Sequence, residues 1–413
     1  MLSVRRRQQI VILEGAEVID RTGCRQSVSR WLSRGLWLLF LCSLAHTANA
    51  QGTGSPDRPD PSVQTVAPPP PDGQLPFGAD SGELSGRWIP LGPAPVDQAG
   101  TGGRGYVLSV EDGNVTAVRS NRFSIHASAA NYFYREQTGD FLVSQRYETH
   151  TLALDYRHGF KVPHIPRFEI GGRLQLHQSD SGMLNGFIEG FESLWVSLTG
   201  SKSAQNLLRT QEALRPPQGT LIARGGSPIY RDFGTGSGVG DVYVVAKVAL
   251  LDGDPSSTAT RLSARTGLNV ARSSRFSAGN FFGVGLSVDK KLLEWAAFHG
   301  DVRATRALDS MSVWNLPLKR WAYGFSAGTE VKLSMNNSFT MQIGGSSTPY
   351  MPTGTAAFDK DHGDITFGVA HRFKSGSRNV TMQLYARENL NLPFQVRWNT
   401  DPDLSIGLKA TIH

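Results

Sequence analysis

The sequence predicts an all-β chain that closes into a transmembrane antiparallel up-and-down barrel of about 12 strands, with a long helix-containing extracellular loop. Three observations predict it. Apolar and polar residues alternate with a period of two from Arg122 onward. The connections between the alternating runs are short and long by turns. Aromatic residues gather at the ends of the runs, where interfacial girdles use them.

The chain opens on segments that do not fit that pattern. The apolar run 35–45 follows Arg30 and Arg34 and leads into Ala48-Asn49-Ala50, the small-x-small exit of a secretory signal. Residues 1–50 are therefore expected to be a signal peptide with an over-long N-terminal extension, cleaved near Ala50, and initiation nearer Val28 would explain the extension. Cys24 and Cys42 both fall inside it, so the mature chain is expected to be thiol-free. Without it the chain carries 35 basic and 32 acidic residues, too even a balance to argue for nucleic acid. Residues 51–100 hold 11 of the 22 prolines, so 51–105 is expected to be a disordered Pro/Gly-rich linker and 106–413 the barrel.

Strand spacing follows from the alternation. In 149–160, Leu152, Leu154 and Tyr156 share one face and Thr151, Ala153, Asp155 and Arg157 the other. The runs 123–133 and 167–177 behave alike, and nine more follow between 241 and 412. Each is about ten residues, the length that crosses a bilayer at a tilt. Short gaps such as "KVPHIP" and "KSGSR" alternate with long ones, among them 134–146, 179–240, 307–320 and 348–362. Turns on one side and loops on the other are the pattern of a barrel with both termini in the periplasm.

If the apolar face meets lipid, the opposite face lines the lumen. By parity it carries Arg157, Arg173, Lys247, Arg261, Arg265, Arg303, Lys332, Arg372, Arg387 and Lys409. Asp155, Glu169, Asp289, Asp301 and Glu330 face them. A wet lumen with this basic excess would favour anions, whereas a salt-bridged one would hold the wall rigid and pass nothing. In the longest gap, Phe187, Ile188, Phe191, Leu194, Trp195 and Leu198 recur at steps of three and four, which predicts a loop helix able to act as a lid.

The order of an alternating strand, a loop with "GFIEGF" at 186–191, and "GSGVGDVYVVAKVALLDGD" at 236–254 resembles a family of Gram-negative outer-membrane proteins known only as a domain of unknown function. The resemblance covers roughly 120–413 and implies an outer-membrane barrel, but no substrate. Such barrels tend to finish on an aromatic residue read by the barrel-assembly machinery; this chain finishes on His413. His177-Gln178-Ser179 is similar to the His-x-Ser pair of the outer-membrane phospholipase family, where a His activates the Ser and an Asn orients the His. Here only Asn185 lies nearby, parity turns the pair inward, and His126-Ala127-Ser128 repeats the motif.

The expectation is a passive or gated channel for a small solute or lipid-like molecule, not an enzyme, needing no cofactor or metal. Its partners would be outer-membrane lipids, the assembly machinery and an unknown small solute. A sealed structural barrel is the alternative.

Overall fold

The computed structural model describes residues 88–95, 108–180, 218–232, 234–270, 276–277, 279–389 and 404–413. β1 (Asn121–Thr138), β2 (Phe141–Val162) and β3 (Ile165–Asp180) come first, then a short hairpin of β4 (Gly219–Arg224) and β5 (Ser227–Asp232). β6 (Gly236–Asp252), β7 (Thr260–Val270), β8 (Phe281–Leu293) and β9 (Ala296–Ala307) follow. β10 (Trp321–Lys332), β11 (Asn337–Ser346), a single helical turn α1 (Ala356–Asp359), β12 (His362–Ser375), β13 (Arg378–Asn389) and β14 (Leu404–Ile412) complete the chain.

Every pairing is antiparallel. β1 pairs with β2 on one side and with β14 on the other, from Phe123↔Ile412 to Asn131↔Leu404. Twelve strands, β1–β3 and β6–β14, thus form a closed ring, while β4 and β5 extend the sheet from the start of β2. Closure pairs the edges that would otherwise be unsatisfied in lipid.

The usual inside-outside rule is inverted. Tyr156 is 50% exposed and its neighbour Arg157 only 3%. Ile125, Ile170, Val244, Leu268, Val302 and Ile343 stand exposed, while Thr151, Ser263, Ser287, Thr305 and Thr340 are buried. So continuous an apolar belt exceeds what a soluble monomer carries and fits a wall facing lipid tails. Phe123, Tyr156, Phe160, Trp295 and Phe373 mark its short-turn end; Phe282, Trp321 and Tyr323 mark its long-loop end. Rings at both ends suit the two membrane interfaces, where an amphipathic aromatic is most at home.

Two expected loops are strand instead. The gap 134–146 belongs to β1 and β2, joined by a tight turn at Gly139-Asp140 in which Gly139 has φ +58°. Part of the long gap is the β4–β5 hairpin, turned by Gly225 and Gly226 at φ +58° and +79°. Both turns need the left-handed backbone that glycine adopts freely. The expected lid helix, Phe187 to Leu198, lies outside the described residues.

The longer β1–β2 hairpin serves a second core at the long-loop end. Phe141, Val143, Ile222, Trp314, Leu316 and Phe358 are buried together there, with Leu108 of the N-terminal segment among them. Trp314 stacks on Tyr350 at 6.4 Å, and Phe358 meets Tyr350 edge-on at 5.0 Å. Each such side chain stabilises the loops by roughly 1.5–3 kcal/mol through burial alone.

Candidate functional site

The lumen is not empty. Residues 88–95 and 108–120 run through it as irregular chain with few backbone partners of its own. A buried irregular chain must find hydrogen bonds elsewhere, and here the wall side chains provide them. Glu330 accepts from the amides of Leu91 and Gly92 at 2.8 and 3.1 Å. Asp289 accepts from Gly113 N at 2.8 Å, and Glu169 from Thr116 N at 2.6 Å. In the other direction Arg265 donates to Ser109 O, Lys247 to Asp112 O and Gln383 to Pro93 O. Pro90, Pro93 and Pro95 bring no N–H, which reduces the donors to be matched.

Residues 88–95 fall in the stretch that composition assigns to a linker, yet Trp88 is 1% and Ala94 2% exposed. Proline-rich chain cannot build a core of its own; enclosed by a wall, it has one ready made. Leu108 is seated by two glycines. A Cβ at Gly283 would lie 2.7 Å from Leu108 Cγ, and one at Gly267 would lie 2.9 Å from its Cδ2. Gly283→Val is therefore expected to evict Leu108. Burying a leucine stabilises by about 1.5–3 kcal/mol, so the amides of Gly113 and Thr116 should exchange with solvent roughly ten- to hundredfold faster. Hydrogen-exchange mass spectrometry would read this on the refolded barrel.

Charge locks the descending arm. Glu111 contacts Arg157 at 3.0 Å and Lys247 and Arg265 at 3.3 Å. Asp112 pairs with Lys247 at 3.3 Å and lies 3.8 Å from Arg122. The wall pairs within itself too: Arg157–Asp155, Arg265–Asp301, Arg303–Asp301, Arg261–Asp289 and Arg387–Asp364. At least six of the ten basic residues singled out by parity thus sit in ion pairs. Arg173, Arg372 and Lys409 line a cavity, and Lys332 lies partly exposed at the short-turn end of β10.

Parity reasoning did not pick out Asp364 or His299, although both alternate inward. It had no means of finding Glu111 and Asp112, which precede the first strand. His299 bridges Asp289 at 2.7 Å and Glu330 at 2.8 Å, the same carboxylates that hold the two arms of the segment.

Burial pushes the Glu111 carboxyl up, but Arg157, Arg265, Lys247 and Arg122 more than offset it and hold it well below its ordinary value. Burial acts on Asp112 the same way, and Lys247, Arg122, Arg261 and Lys409 likewise bring it below the carboxylate range. A carboxyl depressed in the docked state stabilises docking fully above its free pKa, roughly 4, and loses that contribution as pH falls through the docked value. Docking by these two groups is therefore expected to be constant from pH 8 to 5 and to weaken only in stronger acid. Amide exchange at Gly113, corrected for intrinsic rate, would show a steady protection factor across that range.

Among the described residues the His-x-Ser pair makes contacts within the wall; Asn185 lies outside the described residues. His177 and Ser179 are 3% and 4% exposed on the lumen side of β3. His177 Nδ1 bonds Thr151 Oγ1 at 2.9 Å, and Ser179 Oγ bonds Thr149 Oγ1 at 3.3 Å. The His177 ring stacks on Phe276 at 5.4 Å. The pair braces β2 against β3, away from the lipid that a lipase must address.

Fold and lining together define a transmembrane β-barrel whose own N-terminal segment occupies the lumen. No protein-family model matches the sequence, and no curated protein is similar to it. Among solved structures, the chain is similar to the COG4313 outer-membrane channel of Pseudomonas putida F1, with 12% identity and a TM-score of 0.44, over 74% of this chain and 100% of that one. It is similar to the NanC porin at 7% identity and a TM-score of 0.35, over 70% and 98% of the two chains. A Pseudomonas aeruginosa FadL homologue gives 9% and 0.32, over 79% and 98%. Likeness this distant says nothing of ligand or mechanism.

Proposed function

We propose that the chain is a gated conduit of the outer membrane for small, preferentially anionic solutes, with residues 88–95 and 108–120 as parts of the gate, closed in this structure. One observation carries the reading. The segment is held in the lumen largely by hydrogen bonds and ion pairs to the wall, contacts that water can replace, with Leu108 as an apolar anchor. The signal expected in residues 1–50 and the lipid-facing belt support the outer-membrane location. The polar lining supports a polar solute over a lipid-like one.

Planar-bilayer recording tests it. The full chain is expected to be closed for most of the record, and a chain lacking 51–118 to conduct steadily with anion over cation preference. Silence from both would replace the conduit with a sealed structural barrel.

A further inference from the structure

The geometry points to a binding site inside the lumen for a small oxyanion of at least two charges, such as phosphate, lodged between the two arms of the N-terminal segment and the wall formed by β1, β2, β3, β13 and β14. This rests on the conduit reading only in naming what enters; the site can be measured without any current.

The site begins as a cavity of about 140 Å³. Residues 89–93 close one side and Ser109 to Asp112 another, and Gln383 and Lys409 belong to its wall. A water molecule occupies about 30 Å³ of liquid, so the space equals roughly five waters. That admits a tetrahedral oxyanion with water beside it.

Charge selects the occupant. Arg122, Arg157, Arg173, Arg261, Arg372 and Lys409 all line the cavity. Against them stand Glu111, Asp112 and Asp155. The acidic groups are largely engaged: Glu111 by Arg157, Lys247 and Arg265, Asp112 by Lys247, and Asp155 by Arg157. Lys247 and Arg265 lie just outside the lining together with Glu169, Asp289 and Asp301, so eight cations face six carboxylates and the excess is about two positive charges.

Two donors are left over. Among the described residues, the side-chain ammonium of Lys409 has no ion pair within 4 Å and no hydrogen bond. Arg157 is 3% exposed, yet its Nη1 makes no hydrogen bond, with Glu169 Oε1 3.9 Å away. A buried guanidinium N–H without an acceptor carries the desolvation cost of a charged donor with nothing to offset it. An oxyanion in the cavity offers several acceptors at once, and a second negative charge offsets the excess that a halide would only halve. Ser124 Oγ, bonded to Thr411 Oγ1 at 3.0 Å, adds a hydroxyl pair on the β1–β14 side.

Isothermal titration of the refolded full chain with inorganic phosphate at low ionic strength tests the site, with malonate and chloride as parallel titrants. Saturable binding of one phosphate per barrel is expected, weakened at least tenfold by Lys409→Met and unchanged by Lys161→Met at the exposed rim. Lys409→Met removes no ion pair, so the barrel should keep the gel mobility of the folded form. Tighter malonate than phosphate would keep the dianion site but assign it to carboxylates. Absence of saturation in the native chain, or equal binding in Lys409→Met, would overturn the site. Conductance without binding would sink the site alone, and binding without conductance would sink the conduit alone.

Discussion

A Glu111→Gln barrel should conduct where the native chain is mostly shut. The substitution keeps the shape of the side chain and removes the one negative charge shared by Arg157, Lys247 and Arg265. Removing one partner of a buried ion pair typically costs about 3–5 kcal/mol where the other charge is left unpaired; Arg157, Lys247 and Arg265 keep Asp155, Asp112 and Asp301, which brings the cost to the lower end. Glu111 retains 12% of its side-chain exposure, and water reaching the cavity will screen part of this. The lower end, about 3 kcal/mol, still means roughly a hundredfold shift toward the released segment, since every 1.4 kcal/mol is tenfold. Only the docked state suffers, because a released segment leaves its carboxyl and the wall cations in water. Single-barrel recording should therefore show a rise in open probability, and the lost carboxylate should strengthen anion preference. Gly113 and Thr116 should lose amide protection in parallel. Unchanged gating together with unchanged exchange would mean that Glu111 is not what holds the segment.

How much of this was legible beforehand depends on whether a feature is periodic. The wall was legible because a strand between lipid and lumen must alternate. Leu152, Leu154 and Tyr156 opposite Thr151, Ala153, Asp155 and Arg157 is that constraint written in residues, and β2 obeys it. The inserted segment was not legible, because irregular chain has no period and its partners lie far away in sequence. Leu91 and Gly92 find Glu330, and Gly113 finds Asp289. A proline count measures whether a stretch can form its own core, not whether a barrel will enclose it. The β4–β5 hairpin lies between these cases. Gly225-Gly226 between "TLIA" and "SPIY" is a turn signal, obscured by the length of the surrounding gap. Gly139-Asp140 is likewise a turn signal for the long β1–β2 hairpin, obscured by the aromatic cluster Tyr132-Phe133-Tyr134 within β1.

His299→Leu is expected to cost the barrel the most stability of any single lumen substitution considered. The ring lies between Asp289 Oδ1 and Glu330 Oε2, at 2.7 and 2.8 Å. A neutral imidazole has one N–H and can donate to only one of them. Satisfying both requires one more proton, on the ring or on a carboxyl, and burial makes either arrangement specific to the folded state. Glu330 is fully buried and Asp289 2% exposed, so neither has water to turn to. Leucine would leave both facing an apolar side chain, at a cost of about 3–5 kcal/mol by the same reasoning as for any broken buried pair. The consequences would spread beyond β9. Asp289 on β8 holds Gly113, and Glu330 on β10 holds Leu91 and Gly92, so both arms of the segment would lose their anchorage. The measurement is the urea midpoint for loss of the folded band on unheated gels. His371→Leu is the control: that ring lies partly exposed at the short-turn end of β12, bonded to Asn337 Oδ1. It should shift the midpoint by the equivalent of about 1 kcal/mol, the worth of an ordinary hydrogen bond. Equal shifts in the two variants would show that the three-membered bridge adds nothing beyond a polar contact, and that the segment is anchored by Glu111 and Asp112 alone.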